Sequence, residues 1–193
     1  KIIRAGLACI PPKSQYYEAI SDVVRWHGEN PDDWQHAWQL IEAKYQDNPD
    51  YRRFSCSALD DPFNIDAKIN GAYIVMGLLY GRGDPDQTII IATRCGQDSD
   101  CNPSNAGGIL FTTIGYNNLD EKFTSAIDTS PKFSYTDYNF PGLLAVCEKL
   151  ARQAMLRSGG AIETDAHGEE WFVIPLQSPK PSQLEQCWMP TPL

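Results

Sequence analysis

The chain has 193 residues, of which 42% are hydrophobic and 11% aromatic, and a formal net charge of −9. That is enough chain for one domain with a real core and too little for two comfortable ones, and the composition is that of a packed rather than a disordered protein. The acidic balance and scattered Lys and Arg exclude the basic stripe of a nucleic-acid footing, and no run reaches the roughly 18 apolar residues of a membrane span.

The opening run, Lys1 to Ile10, has the look of the tail of an amphipathic helix, with no capping residue before it and no signal-peptide layout, so a segment is expected upstream. After Ser14, the spacing of Tyr17, Ile20, Val24 and His27 predicts a helix with one apolar stripe. Asn30-Pro31-Asp32-Asp33 predicts the next start, with a cap, a proline at the first helical position and acids in the first turn. Trp34, Ala37, Trp38, Ile41 and Tyr45 then follow helical spacing.

The segment from about Ile65 to Gly81 is almost wholly apolar and predicts a central buried helix, with Asp60-Asp61-Pro62 as its expected cap. Asp84-Pro85-Asp86-Gln87 fits a capping box. The β-branched run Thr88-Ile89-Ile90-Ile91 that follows favours a strand by propensity, but the cap before it and Gly96 after it decide for a helix. A further helix is expected from about Pro141 to Arg157, stopped by Gly159-Gly160.

Then the pattern changes. Residues 161–164 and 170–174 flank Asp165-Ala166-His167-Gly168 and predict a β-hairpin, and the five prolines from Pro175 onward predict an extended tail. The expected division is residues 1–160 as a helical part and residues 161–193 as hairpin and tail packed on the same domain.

Six cysteines (Cys9, Cys56, Cys95, Cys101, Cys147 and Cys187) are too dispersed for a disulfide scaffold. Most sit in apolar stretches, where a buried free thiol is the common outcome, while Cys95 and Cys101 are close enough for a bridge across a tight loop.

The stretch that carries chemistry runs from Cys95 to Gly108. Asp98 and Asp100 follow Gly96 and precede a helix that Pro103 can start, so both carboxylates fall at a loop-to-helix junction. The helix dipole favours ionised Asp there, and oxygen donors suit Mg2+, Mn2+ or Ca2+ rather than zinc. Gly107 and Gly108 leave room for another backbone or a ligand. An EF-hand loop fails, because Pro103 stands where that loop needs Gly and Ile109 where it needs Glu. Simple helix capping by Asp100 or Asn102 stays open, as does the Cys95–Cys101 bridge. Of the histidines, His27 reads as a core residue, His36 as solvent-facing and His167 as part of a turn. They are too far apart in sequence for a nucleophilic triad, and no serine-elbow motif accompanies them.

The glycine, Asp-x-Asp and following small-residue helix resemble the carboxyl-terminal metal motif of the ADP-ribosylglycohydrolase (DraG-like) family. Ile10-Pro11-Pro12-Lys13-Ser14, Asp32-Asp33-Trp34 and Asn70-Gly71-Ala72-Tyr73-Ile74-Val75 also resemble that family, in the same order, so the likeness covers about residues 1–120. It implies an all-α orthogonal helical bundle, here with the small hairpin appended, that holds a pair of Mg2+ ions. It further implies hydrolysis of the glycosidic bond joining ADP-ribose to a protein side chain or small acceptor. On this likeness Asp98 and Asp100 are the expected catalytic residues, acting as metal ligands, with Ser99 and Asn102 as supporting hydrogen-bonders. Cys101 stands where the family has a hydroxyl ligand, and a thiol is a soft partner for Mg2+. The family's amino-terminal acidic cluster and phosphate-cradling Gly-rich loop have no counterpart in residues 1–193 and are expected upstream. The alternatives are a non-catalytic module binding ADP-ribose or a nucleotide sugar, which Cys101 favours, and a helical interaction domain docking through its hairpin and tail.

Overall fold

The computed structural model describes residues 1–52 and 58–183. Cys56, Cys187 and the end of the proline-rich tail, residues 184–193, lie outside the described residues. The chain divides into two compact units, one of residues 1–119 with the chain from Pro179 on, the other of residues 120–178.

The first unit holds α1 (Ile2–Leu7), α2 (Gln15–Glu29), α3 (Trp34–Ile41), a π-helical turn (Glu42–Gln46), α4 (Pro49–Arg52), α5 (Ala67–Tyr80), α6 (Pro85–Arg94) and α7 (Cys101–Ile114). Helix α5 lies at its centre, packed against α2, α3, α6 and α7. Because neighbours cover it from several sides, Ile69, Ala72, Tyr73, Val75 and Met76 are all buried, and the helix has no polar face to give up. Its glycines serve close packing. A Cβ on Gly77 would lie 2.8 Å from the Thr88 carbonyl oxygen, and one on Gly71 would lie 2.6 Å from the Tyr16 hydroxyl.

Helix starts follow local chemistry, with two corrections. Ser14 accepts from the Tyr17 amide at 3.1 Å, and Asp84 accepts from the Gln87 amide at 2.7 Å, with Pro85 opening α6, so the β-branched run is helical as expected. Asn30 does not start α3. Its own amide still closes α2 on the Trp26 carbonyl at 2.8 Å, and Asp33 supplies the cap, accepting from His36 at 2.9 Å. Asp60 and Asp61 do not cap α5; Asp66 does, accepting from the Lys68 amide at 2.8 Å, while Asp61 turns back to the Phe63 amide.

The stripe of α2 is also rotated from expectation. Ala19, Ile20, Val23 and Trp26 form the buried face, and Tyr17, Val24 and His27 flank it. Asp22, a charged residue, also falls on the buried side. Its carboxylate accepts from Lys44 at 2.6 Å, Tyr45 at 2.8 Å and Arg25 at 2.8 Å. Burial pushes its pKa up, but those donors outweigh burial and hold it below the usual carboxylate value. His27 lies edge-on to Tyr80 at 4.8 Å, and His36 is exposed. Of the described cysteines, Cys95 is buried; Cys9, Cys101 and Cys147 are exposed, against the expectation of mostly buried thiols.

In the second unit, α8 (Phe140–Arg157) is capped by Asn139, which accepts from the Gly142 amide at 3.0 Å. It stops at Gly159, whose φ of +84° suits glycine, with the Gly160 amide reaching back to the Met155 carbonyl. Strands β1 (Ala161–Thr164) and β2 (Glu170–Val173) form the expected antiparallel hairpin, pairing Ala161 with Val173 and Thr164 with Glu170. Asp165 organises its turn by accepting from the His167 and Glu169 amides. The fold is thus predominantly helical with one small hairpin near the carboxyl end, and among the described residues no helix is long and apolar enough to cross a membrane.

Candidate metal site at the turn before α7

Helix α6 ends at Cys95, whose carbonyl accepts from the Trp38 indole at 2.8 Å. The chain then turns through two left-handed residues, Gly96 (φ +91°) and Gln97 (φ +57°). Glycine adopts that region freely, but a residue with a Cβ needs compensation. Gln97 has it: its side-chain oxygen accepts from the Asn64 amide at 2.7 Å. This reversal aims the next residues at the start of α7, where the Asp98 carbonyl accepts from the Asn102 amide at 2.9 Å.

A set of carboxamides underlies the turn. Asn70, buried in α5, accepts at one oxygen from the Asp98 amide at 3.2 Å and from the Asn102 side chain at 2.8 Å. Its amide group donates to the Asn64 carbonyl at 2.8 Å and to the Asp66 carbonyl at 3.1 Å. Asn64 donates in turn to Gln46 on the π-helical turn at 2.8 Å.

On the outer side, ligand atoms of Asp98, Asp100 and Cys101 all lie within 4.8 Å of one another, the one such group of three found among the described residues. Asp98 is half-buried; Asp100 and Cys101 are exposed. Asp100 occupies the cap position of α7 but makes no side-chain capping bond, and the Asn102 side chain is turned to Asn70, so neither caps the helix. Cys95 and Cys101 are free thiols, one buried and one exposed, so no bridge ties the loop.

The electrostatics separate Asp100 from Cys101. The Asp100 carboxylate is held below its ordinary pKa by its own amide, by the Asp98 side chain and by the Cys101 amide. The Cys101 thiol is pushed up by its hydrogen bond to Asp98 and by the charges of Asp98 and Asp100, which keeps it protonated at neutral pH. Ser99 is exposed on the turn. Gly107 is buried, and a Cβ there would meet Ile89 at 3.7 Å; at Gly108 it would meet nothing. No backbone therefore needs the space expected at either glycine.

Sequence reasoning gave no role to Asn64, Gln46 or Gln97, and quoted Asn70 only as the start of a motif that resembles the family. A signal existed for Asn70 alone, the one carboxamide inside an apolar helix.

No curated protein and no solved structure matches the chain. A family model described as ADP-ribosylglycohydrolase matches residues 1–159, which spans α1 to α7 with the acidic turn, and α8. With most of its length matched, this chain belongs to the ADP-ribosylglycohydrolase family.

Proposed function

We propose that the chain is a glycohydrolase of ADP-ribose linkages, a reading its family membership supports, that the reaction is metal-dependent, that Asp98 and Asp100 are ligands of a hard divalent cation, and that the acceptor is a protein side chain or a small molecule. The observation that carries this reading is the pair of carboxylates brought within 4.8 Å at the mouth of α7, with Asp100 not used as a cap.

The donor set fits such an ion. Two carboxylates at a helix start are oxygen ligands for Mg2+, or for Mn2+ or Ca2+, and they fill only part of a shell of about six. The remaining positions fall to water, substrate hydroxyls or carboxylates from elsewhere, and a second Mg2+ would draw on those. Cys101, protonated and soft, is a poor ligand. It acts instead through the hydrogen bond that links it to Asp98.

When bound, the ion would supply a water of lowered pKa and a point of attachment for ribose hydroxyls. The chain's own residues do the rest. Cleavage at the ribose passes through an oxocarbenium-like state, and Asp98 and Asp100 would serve it by holding the cation whose charge theirs balances. Ser99 offers a hydroxyl on the exposed side of the turn, and Asn102 ties the first turn of α7 to the core.

Replacing Asp98 or Asp100 with Ala abolishes metal-dependent release of ADP-ribose from an ADP-ribosylated protein by the full-length protein while leaving its circular-dichroism spectrum unchanged. Retained release in both variants rejects the assignment. Cys101, a soft thiol beside the carboxylate pair, favours a second reading, a module that binds ADP-ribose or a nucleotide sugar without turnover. Calorimetric binding of ADP-ribose with no release from any conjugate would select it.

A further inference from the structure

We propose that Asn70 is the positioning residue of the Asp98–Asp100 pair, an inference that rests on the metal-site reading above. Asn70 is 6% exposed and sits in the first turns of a mostly apolar helix, where a carboxamide left unpaired is costly and apolar residues pack better. Both of its polar atoms are engaged, and the partners come from three pieces of chain: Asn64 and Asp66 before α5, Asp98 in the turn, and Asn102 in α7.

The two bonds at its oxygen have distinct effects. The bond from the Asp98 amide fixes the backbone of the inner carboxylate residue itself. The bond from Asn102, which is 1% exposed, fixes the first turn of α7 two residues after Asp100. One rigid amide plane on the central helix therefore sets where both carboxylate-bearing residues stand. Gln97, held left-handed by the Asn64 amide, closes the arrangement from the other side, and Asn64 is itself anchored to Asn70 through its carbonyl. Hydrogen bonds that orient ligands from behind are commonly worth about 10–100-fold in metal affinity.

Fold stability and ligand placement separate in a three-variant comparison on the full chain, with Mn2+ as the probe. Asn70→Ala removes every bond, Asn102→Ala removes one and is the milder variant should the first fold poorly, and Met76→Ala is a core control on the same helix. Mn2+ affinity by titration calorimetry or paramagnetic resonance, read in conditions where each variant is folded, is expected to fall about 10–100-fold in Asn70→Ala and by less in Asn102→Ala. Met76→Ala keeps wild-type affinity despite its lost stability. In the metal-free chain, hydrogen exchange at the Asp98 amide speeds up in Asn70→Ala and not in Met76→Ala. Wild-type Mn2+ affinity in both asparagine variants overturns the positioning role alone. Failure of the wild-type chain to bind Mn2+ overturns the metal reading, and this role with it.

Discussion

Glu42 opens the π-helical turn and its half-buried carboxyl accepts the Tyr73 hydroxyl of α5. Burial first, and the nearby Asp47 charge second, push its pKa from 4.5 up to about 7. The folded state thus keeps this proton after the unfolded chain has lost it. Its contribution favours folding below pH 4.5 and is lost as pH rises toward 7, after which it stays level. At 1.36 kcal/mol per unit the gap amounts to roughly 3 kcal/mol, and solvent screening of a half-exposed group reduces that to about 1–2 kcal/mol. Glu42→Gln keeps the size and the oxygen that accepts from Tyr73 but has no charge to bury. Urea unfolding at pH 5, 6, 7 and 8 should give the variant about 1–2 kcal/mol more stability than wild type at pH 8, and equal stability near pH 4.5. Over a domain of this size, thermal melting should rise by about 3–6 °C at pH 8. If the two proteins keep parallel pH profiles, the carboxyl is not a desolvated acid and the reasoning fails.

Other expectations test the corrected assignments. Asp66→Ala should cost about 1 kcal/mol in urea unfolding through loss of the α5 cap, while Asp60→Ala should cost almost nothing. Gly77→Ala forces a Cβ to 2.8 Å from the Thr88 carbonyl and should lose about 1–3 kcal/mol, whereas Gly108→Ala, with open space, should be neutral or gain up to about 1 kcal/mol in the same assay. Asp22→Ala removes the acceptor of Tyr45 and one of the two carboxylates on Lys44, which keeps Glu18 at 2.6 Å, and should destabilise by about 1–3 kcal/mol, measured by chemical denaturation at pH 7. Because the Asp22 pKa is lowered on folding, its contribution is full above pH 3.8 and fades as pH falls below it, so the gap between wild type and Asp22→Asn should shrink on acidification.

Much of the architecture was legible because it is local. A cap is decided within three residues, so Ser14 and Asp84 announced α2 and α6, and the cap outweighed the strand propensity of Thr88 to Ile91. The same short range made the stop at Gly159 and the turn at Asp165 readable. The acidic turn stood out for a similar reason, since Asp98 and Asp100 are neighbours in the chain, and its order among other motifs pointed to the family that the match over residues 1–159 shows. Where two local signals competed, proximity misled: Asn30 had every mark of a cap for α3, yet its amide was still closing the previous helix.

Tertiary structure decided which polar residues are buried and what satisfies them. Asp22 is accommodated on the inner face of α2 because Lys44 and Tyr45, 22 and 23 residues on, supply its donors. Asn70 becomes the support of the acidic turn because Asp98 and Asn102, 28 and 32 residues away, present theirs. A polar side chain in the core is intelligible only with its partners beside it, and at such separations nothing in the sequence names them. By itself the sequence determined the helices, the hairpin, the carboxylate pair and the family likeness, each set by spacing or local chemistry; the packing of α5 against its neighbours determined what holds those carboxylates in place.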